Sequence, residues 1–103
     1  MASYSLTVGG KPSGVNKSLS GTTADTVTVD ASAGNTRVVI KNRGAAAISA
    51  RFDGSTAVAD ADGTVPIDAG ESLDIYIGSG SYAMSIVGNG TAYAVVAFPY
   101  GSW

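Results

Sequence analysis

The side chains that most often carry catalysis near neutral pH are missing from this sequence, which contains no histidine and no cysteine. A nucleophile activated by an imidazole cannot be built, and neither can a thiolate nucleophile. Without cysteine, a disulfide framework and a thiolate metal site are also excluded. Three lysines remain, and none follows a serine in a Ser-x-x-Lys arrangement: Lys11, Lys17 and Lys41. We therefore expect no enzymatic activity and no bound cofactor.

Carboxylates offer one further kind of chemistry, metal binding, in the stretch "ADADG" at residues 59–63. An EF-hand loop has glycine at its sixth position and oxygen ligands at its first and twelfth. Placing Gly63 at the sixth position puts Val58 at the first and Ala69 at the twelfth, and neither side chain can bind calcium. A looser site would need three aspartates that an ordinary Asp/Gly-rich turn explains better, namely Asp60, Asp62 and Asp68. We therefore predict no metal site.

Apolar and polar residues alternate with a period of two along most of the chain. The alternation is clear in "SYSLTV" (3–8), "TVTVD" (26–30) and "SLDIYI" (72–77), and turn sequences rich in Gly, Asn and Asp separate such runs. This alternation is typical of antiparallel strands with one buried face, and no stretch has helical spacing. The sequence therefore predicts a single all-β domain over residues 1–103, an antiparallel, jelly-roll-like β-sandwich of about seven to eight short strands.

Two segments depart from the strand pattern. Residues 9–25 ("GGKPSGVNKSLSGTTAD") are rich in Gly, Ser and Thr, and they predict an extended surface loop or an arm that contacts a partner. Residues 99–103 ("PYGSW") form an uncharged aromatic tail after the apolar run 94–98. Two interpretations of this tail stay open: its aromatic side chains pack at a contact with another subunit, or Trp103 covers the end of its own sandwich.

The charged residues are segregated along the chain. Basic residues are concentrated at 37–51, which the pattern predicts to form a central hairpin, and six carboxylates follow between residues 53 and 74. Period two places three basic residues on one outer face of that hairpin: Arg37, Lys41 and Arg51. These side chains either orient a protein partner or form an ordinary solvated face. Nucleic acid is not an expected partner of a chain with net charge −2. A membrane span is not expected either, because no run of apolar residues is long enough.

Part of the chain resembles a pattern found in small virion proteins of tailed bacteriophages. The pattern comprises a V-x-I-x-N-x-G strand and turn at 38–44, an I-x-x-R-F strand at 48–52 and a P-I-x-A-G-E turn at 66–71. The last strand pair, at 81–98, which the pattern predicts to be a hairpin, has the same character, so the resemblance covers about residues 26–98. It implies a β-sandwich subunit that assembles into a virion in the cytoplasm of a bacterial host. It does not distinguish capsid decoration (cement) proteins from neck, head-fibre or tail accessory proteins.

The function predicted from the sequence is that of a non-enzymatic virion structural protein, first of all a capsid decoration protein that stabilises the head by binding across capsomers. The expected partners are the major capsid protein or other virion subunits, and the resemblance suggests a homo-oligomer such as a trimer. The candidate partner-binding residues are Arg37, Lys41, Arg51, Phe98, Tyr100 and Trp103. The alternative is a carbohydrate- or host-surface-binding module in which aromatic residues stack on sugars: Tyr76, Tyr93, Tyr100 and Trp103.

Overall fold

A computed structural model describes residues 2–8, 12–31, 34–58 and 62–99 of the chain. These residues form nine strands and no helix, so none of them belongs to an apolar helix of the length that a bilayer requires. The strands are β1 (Ser3–Thr7), β2 (Ser13–Ser18), β3 (Asp25–Ala31), β4 (Thr36–Asn42), β5 (Ile48–Arg51), β6 (Val65–Ile67), β7 (Ser72–Ile77), β8 (Gly80–Val87) and β9 (Ala92–Pro99).

The strands form two sheets that pack face to face. Sheet A has the order β1-β3-β8-β5-β6, and sheet B has the order β2-β9-β4-β7. Strands β2 to β9 alternate between the sheets in the order of an eight-stranded jelly roll, and β1 is added beside β3 as a parallel edge strand. The predicted all-β, jelly-roll-like sandwich is confirmed. The strand number is nine because the sequence pattern missed β2 and the three-residue β6.

The core between the sheets is filled by the apolar residues at alternate strand positions. The central strands contribute the most deeply buried aliphatic side chains, among them Val29, Ile40, Ile48, Ile86 and Val95. Burying a methylene group stabilises a fold by about 0.8 kcal/mol, so these side chains hold the two sheets together. The intervening positions of each strand must then lie on the outer side of its sheet.

Consecutive strands change sheets at nearly every connection, which corrects two expectations. β4 and β5 do not form the predicted central hairpin, because β4 lies in sheet B and β5 in sheet A. The last strand pair is not a hairpin either, since β8 lies in sheet A and β9 in sheet B. Among the described strands, only β5 and β6 are consecutive and paired. A turn sequence predicts where the chain reverses, but it does not predict to which sheet the chain returns.

The segment 9–25 contains a strand that its composition conceals. β2 pairs antiparallel with β9 along its whole length, with Val15 opposite Val95. The expectation of a loop or arm is therefore wrong for the residues of β2, and Leu19, just after them, is buried in the core. The alternation of apolar and polar residues did not predict β2, because β2 is an edge strand in which Val15 is the only large apolar residue.

Asn42 connects two turns at one end of the sandwich. Its buried side chain donates hydrogen bonds to the carbonyl oxygens of Ala46 (2.8 Å) and Ile67 (3.0 Å), and it accepts one from the N–H of Gly44 (2.9 Å). A Cβ atom at Gly44 would lie 2.5 Å from Cγ2 of Thr91, so no larger residue fits there without a shift. The Asn-x-Gly part of the motif at 38–44 is therefore explained by the fold itself.

A second buried polar group joins the two sheets. The hydroxyl of Tyr93, in β9, donates a hydrogen bond of 2.8 Å to Oδ2 of Asp25, in β3. The N–H of Ala2 donates to the other carboxylate oxygen at 3.3 Å. Burial, and then the neighbouring carboxylate, raise the pKa of the Tyr93 hydroxyl, so it stays protonated and keeps its role as donor. Both side chains are enclosed, which makes the pair a structural link.

Candidate interaction surface

The outer side of sheet B, here called the sheet-B face, carries the side chains that alternate with the buried ones. The strand register aligns them in rows that cross the sheet. The rows are Phe98–Arg37–Tyr76, Gly14–Val96–Val39–Asp74 and Asn16–Ala94–Lys41–Ser72. Three of the predicted partner-binding residues therefore lie on one surface: Arg37, Lys41 and Phe98.

β9 makes the middle of the sheet-B face apolar. Its outward positions carry Ala94, Val96 and Phe98, while its inward positions are buried in the core. A strand that is apolar on both sides is typical of a sheet covered on both faces. β9 is covered on one face by sheet A, whereas no described strand packs on the other.

Arg37 is held in place between the neighbouring strands. Its Nη2 donates a hydrogen bond to Oδ2 of Asp74, in β7, and its Cζ lies 5.2 Å from the centre of the Phe98 ring, in β9. The hydrogen bond from this guanidinium to Asp74 raises the pKa of Arg37, so the side chain is positively charged at any physiological pH. Its Nε is buried and has no hydrogen-bond partner among the described residues. The cation is therefore fixed in orientation before any partner arrives.

Lys41 and Tyr76 lie at opposite ends of the same face. Lys41 is exposed between Ala94 and Ser72, and Tyr76 stands beside Arg37 with 58% of its surface exposed. The sheet-B face thus combines apolar side chains on β9 with a lysine and a salt-bridged arginine on the neighbouring strand β4. Aromatic residues and arginine are enriched at protein interfaces.

Arg51 does not belong to this surface. It lies on β5 in sheet A, so the predicted basic face of Arg37, Lys41 and Arg51 does not exist. Its Nε and Nη2 each donate a hydrogen bond of 2.8 Å to Asp53, and Nη1 donates to the carbonyl oxygen of Asp62 at 3.1 Å. The guanidinium holds the pKa of the Asp53 carboxyl well below its usual range. Arg51 therefore stabilises the loop that follows its strand, β5, and has no role in the sheet-B face.

The remaining aromatic candidates are scattered or lie outside the described residues. Tyr93 points into the core and cannot stack on a sugar. Tyr100 and Trp103 lie outside the described residues. The described part of the chain thus does not bring the four proposed sugar-stacking side chains together. Of the two that it includes, Tyr76 is exposed and Tyr93 is buried.

The outer side of sheet A, here called the sheet-A face, has a different character. Its outward positions on β1 and β3 carry one carboxylate, that of Asp30, and otherwise hydroxyl groups: Ser3, Ser5, Thr7, Thr26 and Thr28. A loop covers its β8 side, because the N–H of Ala57 donates a hydrogen bond of 2.8 Å to Oγ of Ser85. Ala57 is buried there against Ala24 and Val87. The two faces of one sandwich therefore differ, one hydroxyl-lined and partly covered, the other apolar at its centre.

No catalytic cleft or metal cluster stands out in the described part of the chain. No three acidic side chains among residues 2–8, 12–31, 34–58 and 62–99 are grouped so that they could hold a metal ion. A depression of about 30 Å³ beside Thr26 and Ser85 has room for water only. A larger, open groove of about 220 Å³ is lined by Asn35, Tyr76, Ile77 and Gly78, at the end of β7.

The sequence of β9 already indicated the sheet-B face, but of its apolar run only Phe98 was among the predicted partner-binding residues. The apolar run 94–98 has no polar alternation, which indicates that both sides of β9 avoid water. Asp74 and Tyr76 were missed as members of the face, because only the register of β4 against β7 shows that they adjoin it.

Comparison with known proteins extends the fold assignment. No protein-family model and no curated protein sequence matches the chain. The structure is similar to PliG of Aeromonas hydrophila, a periplasmic lysozyme inhibitor of g-type lysozyme, with a TM-score of 0.54 and 18% identity over 93% of this chain and 97% of that one. It is also similar to the pre-peptidase C-terminal domain of a Bacillus anthracis collagenase, with a TM-score of 0.58 and 10% identity over 92% and 93% of the two chains.

A designed protein shows the same architecture. A de novo double-stranded β-helix matches with a TM-score of 0.52 and 14% identity, over 82% of this chain and 94% of the designed one. At such identities the likeness concerns the fold alone. It agrees with the jelly-roll connectivity of β2 to β9.

Proposed function

We propose that this chain is a non-enzymatic structural subunit of a tailed-bacteriophage virion, and specifically a capsid decoration protein that binds across neighbouring capsomers. Its docking surface is the sheet-B face, its main partner is the major capsid protein, and it reaches the virion after folding in the host cytoplasm. One observation carries the proposal: the outer side of β9, with Ala94, Val96 and Phe98, is apolar and no described strand covers it. The resemblance of residues 26–98 to phage virion proteins supports the choice of partner.

The geometry of the face suits docking to a protein. Apolar side chains at the centre release water on binding, and residues near such a centre usually contribute most of the affinity. Arg37 is already fixed by Asp74 and Phe98, so little conformational freedom is lost when it contacts a partner. Lys41 adds a charge that can steer the approach, and this contribution should weaken as salt rises.

The absence of catalytic groups in the sequence supports a structural role. Without histidine and cysteine, the common nucleophiles and general bases are unavailable. The titratable groups with perturbed pKa values are engaged in structural contacts, such as Arg51 with Asp53 and Tyr93 with Asp25. Binding to an assembled lattice, but not to free capsid subunits, stabilises the shell by mass action, and a homo-oligomer such as a trimer would multiply the contacts.

A pair of matched variants tests the proposal. Heads assembled from the major capsid protein of the phage to which the proposal assigns this chain are sedimented with the purified protein, and bound protein is measured over a concentration series. Val96→Glu places a carboxylate at the centre of the sheet-B face, where the diagonal neighbours Arg37 and Lys41 can accommodate it in the free protein. Thr28→Glu is the control, because it introduces the same glutamate side chain at a half-buried position on the sheet-A face.

We expect Val96→Glu to weaken binding about tenfold or more, which corresponds to at least about 1.4 kcal/mol, and Thr28→Glu to leave it unchanged. The opposite pattern would move the docking surface to sheet A and refute the assignment. Wild-type protein that fails to bind heads, necks or tails but binds a glycan array would replace the virion role with a carbohydrate-binding one. Turnover of any substrate would refute the non-enzymatic role.

A further inference from the structure

The outer edge of β7 is the least protected of the sheet edges in the described part of the chain. Sheet A ends at β1 and β6, and sheet B ends at β2 and β7. Proteins usually protect such edges from other chains with lysine, proline or a very short strand. β6 has only three residues, with Pro66 in the middle, and the Nζ atom of Lys17, in β2, lies 4.7 Å from the centre of the Tyr4 ring, in β1. β7 has six residues, "SLDIYI", without lysine, proline or glycine.

The side chains of β7 leave apolar surface at this edge. The inward residues Leu73, Ile75 and Ile77 are only half-buried, whereas the residues that pair with them on β4 are completely buried. The only charged side chain of the strand, Asp74, forms an ion pair with Arg37 of β4. The edge therefore combines half-buried aliphatic side chains with a carboxylate whose charge is already balanced.

The backbone of β7 also has hydrogen-bonding groups directed to the open side. Just before the strand, the N–H of Asn42 donates to the carbonyl oxygen of Glu71 (2.9 Å), and its carbonyl oxygen accepts from the N–H of Gly70 (3.2 Å). Backbone groups of an antiparallel strand point to either side in turn, so every second residue of β4 from Asn42 onwards points to β7 and bonds its inward residues. The N–H and C=O groups of Ser72 and Asp74, which alternate with those residues, then point away from β4.

We infer that two copies of this chain pair antiparallel through β7, around a two-fold axis at Ile75, so that two four-stranded B sheets form one continuous sheet. This register places Asp74 opposite Tyr76 of the second copy. It also places Leu73 opposite Ile77 of the second copy, which covers the half-buried aliphatic side chains. An axis at Asp74 would instead set two carboxylates directly opposite each other, which is destabilising. Backbone hydrogen bonds supply the affinity of such a pairing, and the side chains select its register.

The dimer makes the homo-oligomer of the proposed function specific, but the inference rests on the edge of sheet B alone. A two-fold axis between paired strands keeps the corresponding sides of the two sheets on one side of the joined sheet. Both sheet-B faces are therefore presented in the same direction. On a capsid lattice, the dimer would bind with two linked surfaces and gain avidity.

The first experiment tests the register by disulfide crosslinking, for which a sequence without cysteine is well suited. Ile75→Cys places one thiol of each copy at the axis, where the Cα atoms lie about 4.5 Å apart, within disulfide range. Ser72→Cys is the matched control, because its two thiols would lie about 20 Å apart along the paired strands. After mild oxidation, non-reducing electrophoresis should show mainly covalent dimer for Ile75→Cys and several-fold less for Ser72→Cys.

The second experiment measures the mass in solution by light scattering over a concentration series, and we expect twice the chain mass of 10.2 kDa for the wild type. Tyr76→Asp adds a carboxylate at an exposed site beside Arg37, but in the dimer it faces Asp74 of the second copy. Tyr76→Lys removes the same ring and places a cation there. We expect Tyr76→Asp to weaken dimerisation about tenfold or more and Tyr76→Lys to weaken it much less. Ser5→Asp adds a carboxylate on the distant edge strand β1 and should leave the dimer unchanged.

Three results would overturn the inference. A wild type with the mass of a monomer or a trimer at every concentration would exclude the two-fold pairing. Equal crosslinking of Ile75→Cys and Ser72→Cys would exclude the register. Equal weakening by Tyr76→Asp and Tyr76→Lys, with folding confirmed by circular dichroism, would show that Asp74 of the second copy does not lie opposite. A monomer that still binds heads would leave the proposed function intact, whereas a dimer that binds no heads would refute that function alone.

Discussion

Replacing Asn42 by alanine should be among the most destabilising single substitutions that the chain offers. The side chain is completely buried and makes three hydrogen bonds, with Ala46, Ile67 and Gly44. A buried hydrogen bond contributes about 1 kcal/mol net, and the partners left behind stay buried without a donor or acceptor. The expected loss is therefore about 3 kcal/mol, which lowers the melting temperature by roughly 10–20 °C for a domain of this size.

The assay is urea unfolding followed by circular dichroism, with thermal unfolding as a second measurement. Asn16→Ala is the matched control, because Asn16 is exposed on the edge strand β2 and its loss should cost less than about 0.5 kcal/mol. Asn42→Asp keeps an acceptor for Gly44 but loses both donated hydrogen bonds, so it should be at least as destabilising as alanine. A loss below about 1 kcal/mol for Asn42→Ala, similar to the control, would refute this stabilising role of the Asn42 hydrogen bonds.

Two further predictions concern pH. Tyr93→Phe should cost about 1.5–3 kcal/mol, because the hydrogen bond to the Asp25 carboxylate is lost in a buried site. Since the pKa of Tyr93 is raised in the folded state, wild-type stability should fall as pH rises above about 10, and melting curves of the phenylalanine variant should lack Tyr93's share of that fall. Asp53→Asn should lower the melting temperature at neutral pH and match the wild type in strong acid. The pKa of Asp53 is lowered in the folded state by Arg51, so its contribution is present above about pH 4 and lost as pH falls further. A difference that stays constant from neutral to acid pH would exclude this role of the ion pair.

Alternating hydrophobicity was enough to predict the fold class, because inward residues such as Val38 and Ile40 must share a face if the strand is half-buried. The two missed strands lack that signal. β2 has Val15 as its only large apolar residue, and β6 has three residues, of which Ile67 alone is buried. Edge strands are stabilised largely by backbone pairing with a neighbour, which leaves little trace in their own side chains.

The candidate surface was harder to predict, because it depends on pairing between distant parts of the chain. Arg37 meets Phe98 only because β4 lies beside β9, some sixty residues later. The expected link between Arg37 and Arg51 failed for the complementary reason: strands adjacent in sequence lie in opposite sheets. Local turn signals cannot carry this information, since a reversal within a sheet and a crossing between sheets use the same residue types.

The position of β9 has a consequence for biosynthesis. It is an inner strand of sheet B, joined to β2 on one side and to β4 on the other. A growing chain therefore cannot complete this sheet until residues 92–99 have left the ribosome. Until then, the edges of β2 and β4 that pair with β9 remain unpaired. Topologies dominated by such distant pairings fold slowly and expose aggregation-prone strands meanwhile. A truncated translation product would consequently lack the surface that we assign to capsid binding.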